Sequence, residues 1–176
     1  MVKQTKWTER KFNFDFPVGV FPSLVERFRG TPARLEEIIR TLPGNILATR
    51  LDGGWSIQEH VGHLLDLESL GEQRLIDFSS HAKVLTSADM TNRKTHEANH
   101  NARPVENILK EFRTARLRLV RKLELMEESE VGWPSLHPRL NIPMRLLDWC
   151  YFMAEHDDHH IARIVGLAKR PESARS

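Results

Sequence analysis

Apolar residues recur at steps of three and four through four separate stretches of this chain, with no convincing alternating pattern, so its core is expected to be built from packed amphipathic helices. The first stretch carries Leu24, Val25, Phe28, Leu35, Ile38, Ile39 and Leu42 between Phe21 and Leu42. Gly30 predicts a break within it, with Thr31 and Pro32 capping and restarting the helix. The second opens on a turn signal, Asp52-Gly53-Gly54. Ser56-Ile57-Gln58-Glu59 follows as a capping box, leading a periodic run to about Phe78. The third runs from Pro104, suited to a first helical position, to about Glu128. The fourth runs from Pro143 through Leu147, Trp149, Met153, Ile161 and Ile164 to about Lys169.

Four helices of roughly 27 to 40 Å each, at 1.5 Å per residue, predict an all-α four-helix bundle occupying residues 1–176 as a single domain. The polar stretch His81 to Arg103 reads as a long connection between helices two and three that crosses the bundle end. It permits an overhand crossing, so simple up-down-up-down order is not assumed. Trp7 to Phe16 alternates in part and is expected to lie as an extended N-terminal strap covering the core.

Composition narrows the function classes. The 26 basic and 24 acidic residues give a net charge of +2 and are interspersed, whereas a nucleic-acid surface needs clustered charge. No apolar run approaches the roughly 20 residues of a membrane helix, and Met1 to Glu9 has no apolar signal core, so a soluble cytoplasmic protein without membrane partners is expected. A lone cysteine, Cys150, excludes an intramolecular disulfide and a cysteine-based metal site, and reads as a small buried core residue.

The nine histidines are the informative residues. On the fourth helix His156 and His160 stand one turn apart on the apolar side, where two ring nitrogens can converge on one ion, whereas His159 points outward. Two buried imidazoles satisfied by core polar groups would give the same pattern. On the second helix His60 and His63 both approach the apolar arc, and periodicity does not choose between them as a third ligand. His81, His96, His100 and His137 fall in loops, where histidine is usually exposed. Glu59, Asp66 and Asp157 are candidates to orient ligand imidazoles, although each reads more simply as a solvated charge. Trp55 reads as a cover for the bundle end or as a hydrophobic staple.

Over nearly its whole length the chain resembles the DinB-like superfamily, which includes YfiT-type proteins. The resemblance is carried by Asp52-Gly53-Gly54-Trp55-Ser56 with Glu59 and His63-Leu64, and by His156-Asp157-Asp158-His159-His160-Ile161-Ala162. It implies a metal-binding four-helix bundle with His63, His156 and His160 as ligands, and His60 as the alternative to His63. It implies no activity of the DNA polymerase that shares the DinB name.

Three neutral imidazoles with an open position describe a catalytic rather than a structural site, and histidine suits several first-row ions, of which zinc or nickel is expected. An ion there would ionise water near neutral pH or deprotonate a thiol outright. Because the resembling family includes enzymes using bacillithiol or mycothiol, the leading expectation is a transferase with a low-molecular-weight thiol cosubstrate acting on a small-molecule substrate. A metal-dependent hydrolase is the nearest alternative, and a non-catalytic metal-binding stress protein the third reading. A homodimer is expected by the same resemblance.

Overall fold

The computed structural model describes residues 2–170. Its long helices are α1 (Phe21–Arg40), α3 (Ile57–Ser79), α5 (Val105–Leu123) and α7 (Leu146–Ala168). Shorter pieces are α2 (Gly44–Leu47), α4 (Arg93–Glu97), α6 (Glu128–Val131) and a hairpin of β1 (Pro134–His137) and β2 (Ile142–Arg145). The predicted capping box forms at the start of α3: the Glu59 backbone N–H donates to Ser56 Oγ, and the Ser56 N–H donates to the Glu59 carboxylate.

The four long helices form a bundle in which α1 and α3 each pack against both α5 and α7. Side-chain pairings fix the directions. Glu68 and Glu72 of α3 meet Arg116 and Arg118 of α5, so those helices are parallel. Gly71 faces the Trp149 ring while His63 faces His160, so α3 and α7 are antiparallel. Two parallel neighbours require a connection that returns along the bundle, and residues 80–104 supply it. That stretch runs back beside α3, with Arg74 Nε donating to the Thr86 carbonyl, Lys94 Nζ to the Asp66 carbonyl, and Gln58 to the Arg103 carbonyl. The expectation that it crosses the bundle end is corrected by these contacts. The order changes instead on the diagonals, between α1 and α3 and between α5 and α7.

α1 does not break at Gly30. Pro32 lies inside a continuous helix. Proline removes the N–H that would have reached the Phe28 carbonyl, and the Arg116 guanidinium lies 3.5 Å from that oxygen instead. Helix α7 starts at Leu146 rather than at Pro143, because residues 134–145 form the hairpin, with Pro143 opposite Leu136 and Asn141 at φ 53°. The hairpin is tied to the α3–α5 connection through Leu85 N–H to the Leu136 carbonyl and Leu136 N–H to the Lys83 carbonyl. α5 ends at Leu123, short of Glu128.

Two apolar clusters fill the interior, one around Phe28, Leu119 and Trp149 and the other around Leu35, Phe112 and Ile164. Where each long helix passes from one cluster to the other it carries a buried polar residue: Thr31, Glu68, Arg116 and Asp157. Arg116 pairs with both Glu68 and Asp157, and Thr31 Oγ1 lies 2.9 Å from Asp157 Oδ2. Burial works against the guanidinium charge, yet the two carboxylates outweigh it and hold Arg116 protonated. The strap lies against α7, with Trp7 and Phe12 on Phe152 and Arg10 paired to Glu155. No helix among the described residues is long and apolar enough to cross a membrane.

Candidate metal centre

One ring nitrogen each from His63, His156 and His160 falls within 4.8 Å of the others. His63 sits two turns into α3, and its antiparallel neighbour α7 presents His156 and His160 one turn apart opposite it. All three are buried. His156 Nε2 and His160 Nε2 are 3.2 Å apart. Two ligands on one tetrahedral zinc, with bonds of 2.0–2.1 Å, would stand about 3.3 Å apart.

The hydrogen bonds around the cluster assign its protons. Thr95 Oγ1 is 2.9 Å from Asp66 Oδ2, and the same hydroxyl is 3.0 Å from His63 Nδ1. A carboxylate only accepts, so Thr95 spends its single proton on Asp66 and accepts from His63 Nδ1–H. That fixes the His63 lone pair on Nε2. His160 Nδ1 is 2.9 Å from His60 Nδ1, a contact in which either ring can donate; ligation through His160 Nε2 requires that His160 be the donor and His60 the acceptor. His60 therefore sits behind His160 as its hydrogen-bond partner, outside the set of three. His156 Nδ1 is buried with no partner among the described residues, and the Trp7 ring lies edge-on to that imidazole at 4.9 Å.

Burial favours the neutral form of each ring. It is the largest cause of the lowering of His60 to about 3 and His63 to about 4, and it drives His156 and His160 well below the ordinary histidine range, with neighbouring histidines adding to the effect. Neutral imidazoles present the lone pairs that a divalent ion needs. The donor type, the spacing and the His63 tautomer thus fit such an ion.

Asp66, expected as a possible orienting carboxylate, does act on His63, but through Thr95. It also accepts from His100 Nε2 at 2.8 Å. His100 is 1% exposed, against the expectation for a loop histidine, because the connection lays it on α3 at Gly62. A Cβ at Gly62 would meet the His100 ring at 2.3 Å, so only glycine admits this contact. His137 is likewise buried, in β1. Glu59 and Asp157 are buried too, not solvated, but they serve the capping box with Arg50 and the Arg116 layer respectively. Trp55 packs on the cluster itself, 4.7 Å from His63 and stacked at 6.1 Å on His160. His159 is half-buried and its Nδ1 accepts from the Gln4 amide, in keeping with its exclusion from the ligand set. Thr95 was not singled out by sequence, since a threonine in a polar connection carries no periodic signal. Cys150 is buried, and burial pushes its thiol up.

A cavity of about 260 Å³ opens beside the three histidines, walled by Trp7, Trp55, Leu67, Leu70, Phe152 and Met153, and reached also by His159, Arg74 and Arg139.

Fold and cluster together define a four-helix bundle carrying a buried three-histidine set at metal-ligand spacing beside a pocket. The chain matches the family model of the DinB superfamily over residues 27–164, and it belongs to that superfamily. Among solved structures it is similar to YfiT from Bacillus subtilis, at 19% identity and a TM-score of 0.79, covering 92% of this chain and 93% of that one. That protein is described as a probable metal-dependent hydrolase with an unusual four-helix bundle topology. The comparison with curated proteins gave no match.

Proposed function

We propose that this protein is a divalent-metal-dependent hydrolase of small molecules, with His63, His156 and His160 holding the ion. The observation that carries the proposal is the convergence of three buried imidazoles on one point at the wall of a cavity, with the His63 proton directed away from that point to Thr95. When bound, a divalent ion with three protein ligands supplies a Lewis acid and an open position at which water ionises near neutral pH.

The chain's own groups do the rest. Asp66, through Thr95, orients His63, and His60 orients His160. Trp55 and Trp7 cover the imidazoles and limit the access of bulk water. His159 lines the cavity, and because its Nδ1 accepts from Gln4, its proton in the neutral form sits on Nε2. The description of YfiT as a probable metal-dependent hydrolase favours hydrolysis over thiol transfer. An all-histidine donor set suits zinc, nickel, copper and iron, and zinc or nickel is the ion we propose.

The test is turnover of ester, amide and lactam substrates by metal-loaded protein. Turnover abolished by a chelator and by His160→Ala supports the proposal. A cobalt-substituted protein whose ligand-field spectrum changes on adding bacillithiol, without hydrolytic turnover, would replace it with the transferase reading. Chelation that lowers only the melting temperature would leave a metal-stabilised bundle.

A further inference from the structure

Two arginines reach the cavity without a carboxylate between them. Arg74 is 3% exposed, and its guanidinium makes one hydrogen bond, from Nε to the Thr86 carbonyl at 2.9 Å. Arg139, on the hairpin turn, makes no side-chain hydrogen bond and no ion pair among the described residues. Its Nη2 is buried without a partner among the described residues, and its guanidinium lies 5.6 Å from the centroid of the Phe152 ring. The contrast within this molecule is Arg116, which is as buried as Arg74 but holds two carboxylates, whereas Arg139 is half-buried and holds none among the described residues.

The two guanidiniums repel each other, and both depress the neighbouring His137, whose Nε2 is a further buried polar atom without a partner. Since the Leu140 N–H donates to His137 Nδ1, the neutral ring carries its proton on Nε2, so this atom too is a donor without an acceptor. Two carboxylates lie near. Asp77 attracts Arg74 but has its oxygens turned to the Thr86 N–H and the Gln73 amide. Asp89, at the rim, is occupied by Thr91 and the Arg93 N–H. Of these groups, Arg139 Nη2 and His137 Nε2 are buried donors without an acceptor among the described residues, which is costly, and a planar guanidinium matches an oxyanion in two-point contact.

We propose that the cavity is an oxyanion-binding subsite: Arg139, with Arg74, receives a carboxylate or phosphoryl group of the substrate, whose apolar body lies along Leu67, Leu70 and Phe152. The substrate class is then a small anionic molecule with an aryl or alkyl portion. This deepens the hydrolase reading and rests on its assignment of the cavity as the substrate site.

The experiment compares phenylacetate with its neutral counterpart phenylacetamide, titrated against zinc-loaded protein and followed by tryptophan fluorescence from Trp7 and Trp55. Wild type is expected to prefer the acid by at least about tenfold, since the two-point contact is charge-assisted. Arg139→Ala removes that preference without lowering the melting temperature of the unliganded protein, and Arg139→Lys keeps part of it. Equal binding of acid and amide by wild type, no binding of either, or a preference that survives Arg139→Ala would overturn the proposal. The last result would mean that the ion alone takes the carboxylate. A preference that depends on Arg139 in a protein without chelator-sensitive turnover would sustain the anion subsite while removing the hydrolase reading.

Discussion

His63 Nδ1 lies 3.0 Å from the Thr95 hydroxyl, and that hydroxyl gives its own proton to Asp66. The pair joins the second long helix to the connection that follows it, and it decides which nitrogen of His63 faces the cluster. The same connection presses His100 onto Gly62 and onto Asp66. The return of residues 80–104 along α3 is therefore what supports one side of the three-histidine cluster.

Replacing Thr95 by valine keeps the shape and removes the acceptor for His63 Nδ1–H. Loss of a partner behind a metal-bound imidazole typically weakens binding by about 10- to 100-fold. Thr95→Val is expected to lower zinc affinity by that factor in competition with a chromophoric chelator, and Thr95→Ser to restore most of it. Unchanged affinity in Thr95→Val would show that the hydroxyl does not orient the ligand.

The Arg116 layer predicts a stability effect separate from the metal. Arg116→Met leaves Glu68 and Asp157 buried without their cation, and removing one partner of a buried pair costs about 3–5 kcal/mol. Urea denaturation should show that loss. Replacing Glu68 and Asp157 by leucine in the same variant should recover much of it, because the penalty lies in the uncompensated charge. A full loss that persists in the triple variant would place the effect in packing instead.

The helices, the capping box at Ser56 and Glu59, and the His156–His160 pair were legible in sequence because each rests on local spacing. What was not legible depended on contacts distant in the chain. Pro32 sits in an unbroken helix, where the Arg116 guanidinium of α5 lies 3.5 Å from the Phe28 carbonyl that lacks its usual partner. His100 and His137 are buried because the connection and the hairpin fold back onto the bundle, and a four-residue strand containing Pro143 has too few alternations to register. Periodicity left His60 and His63 as equals. The proton count at Thr95 and the His60–His160 contact give them different parts.

Acid stability follows from two buried groups outside the cluster. Burial, reinforced by Arg74 and Arg139, lowers His137 to about 4. The unfolded chain takes up this proton near pH 6.5, so the contribution of His137 is complete above that pH and is lost as pH falls toward 4. Glu59 is held at about 2, where Arg50 and the Ser56 N–H outweigh the opposing effect of burial. Its contribution is present above about pH 4.5 and fades as pH falls toward 2. Melting temperatures of chelator-treated protein should decline from pH 7 to pH 4, less steeply in His137→Gln, and again below pH 4.5 in a phase absent from Glu59→Gln. A flat profile from pH 7 to pH 4 would contradict the neutral, buried state of His137.

The metal content of untagged protein, measured by elemental analysis after incubation with zinc and gel filtration, tests the three-histidine site most directly. One ion per chain is expected for wild type and none for His63→Ala, His156→Ala or His160→Ala. His60→Ala should keep the ion but release it to a weaker chelator. An ion retained by all three ligand variants, or a wild type that takes up none, would contradict the three-histidine centre.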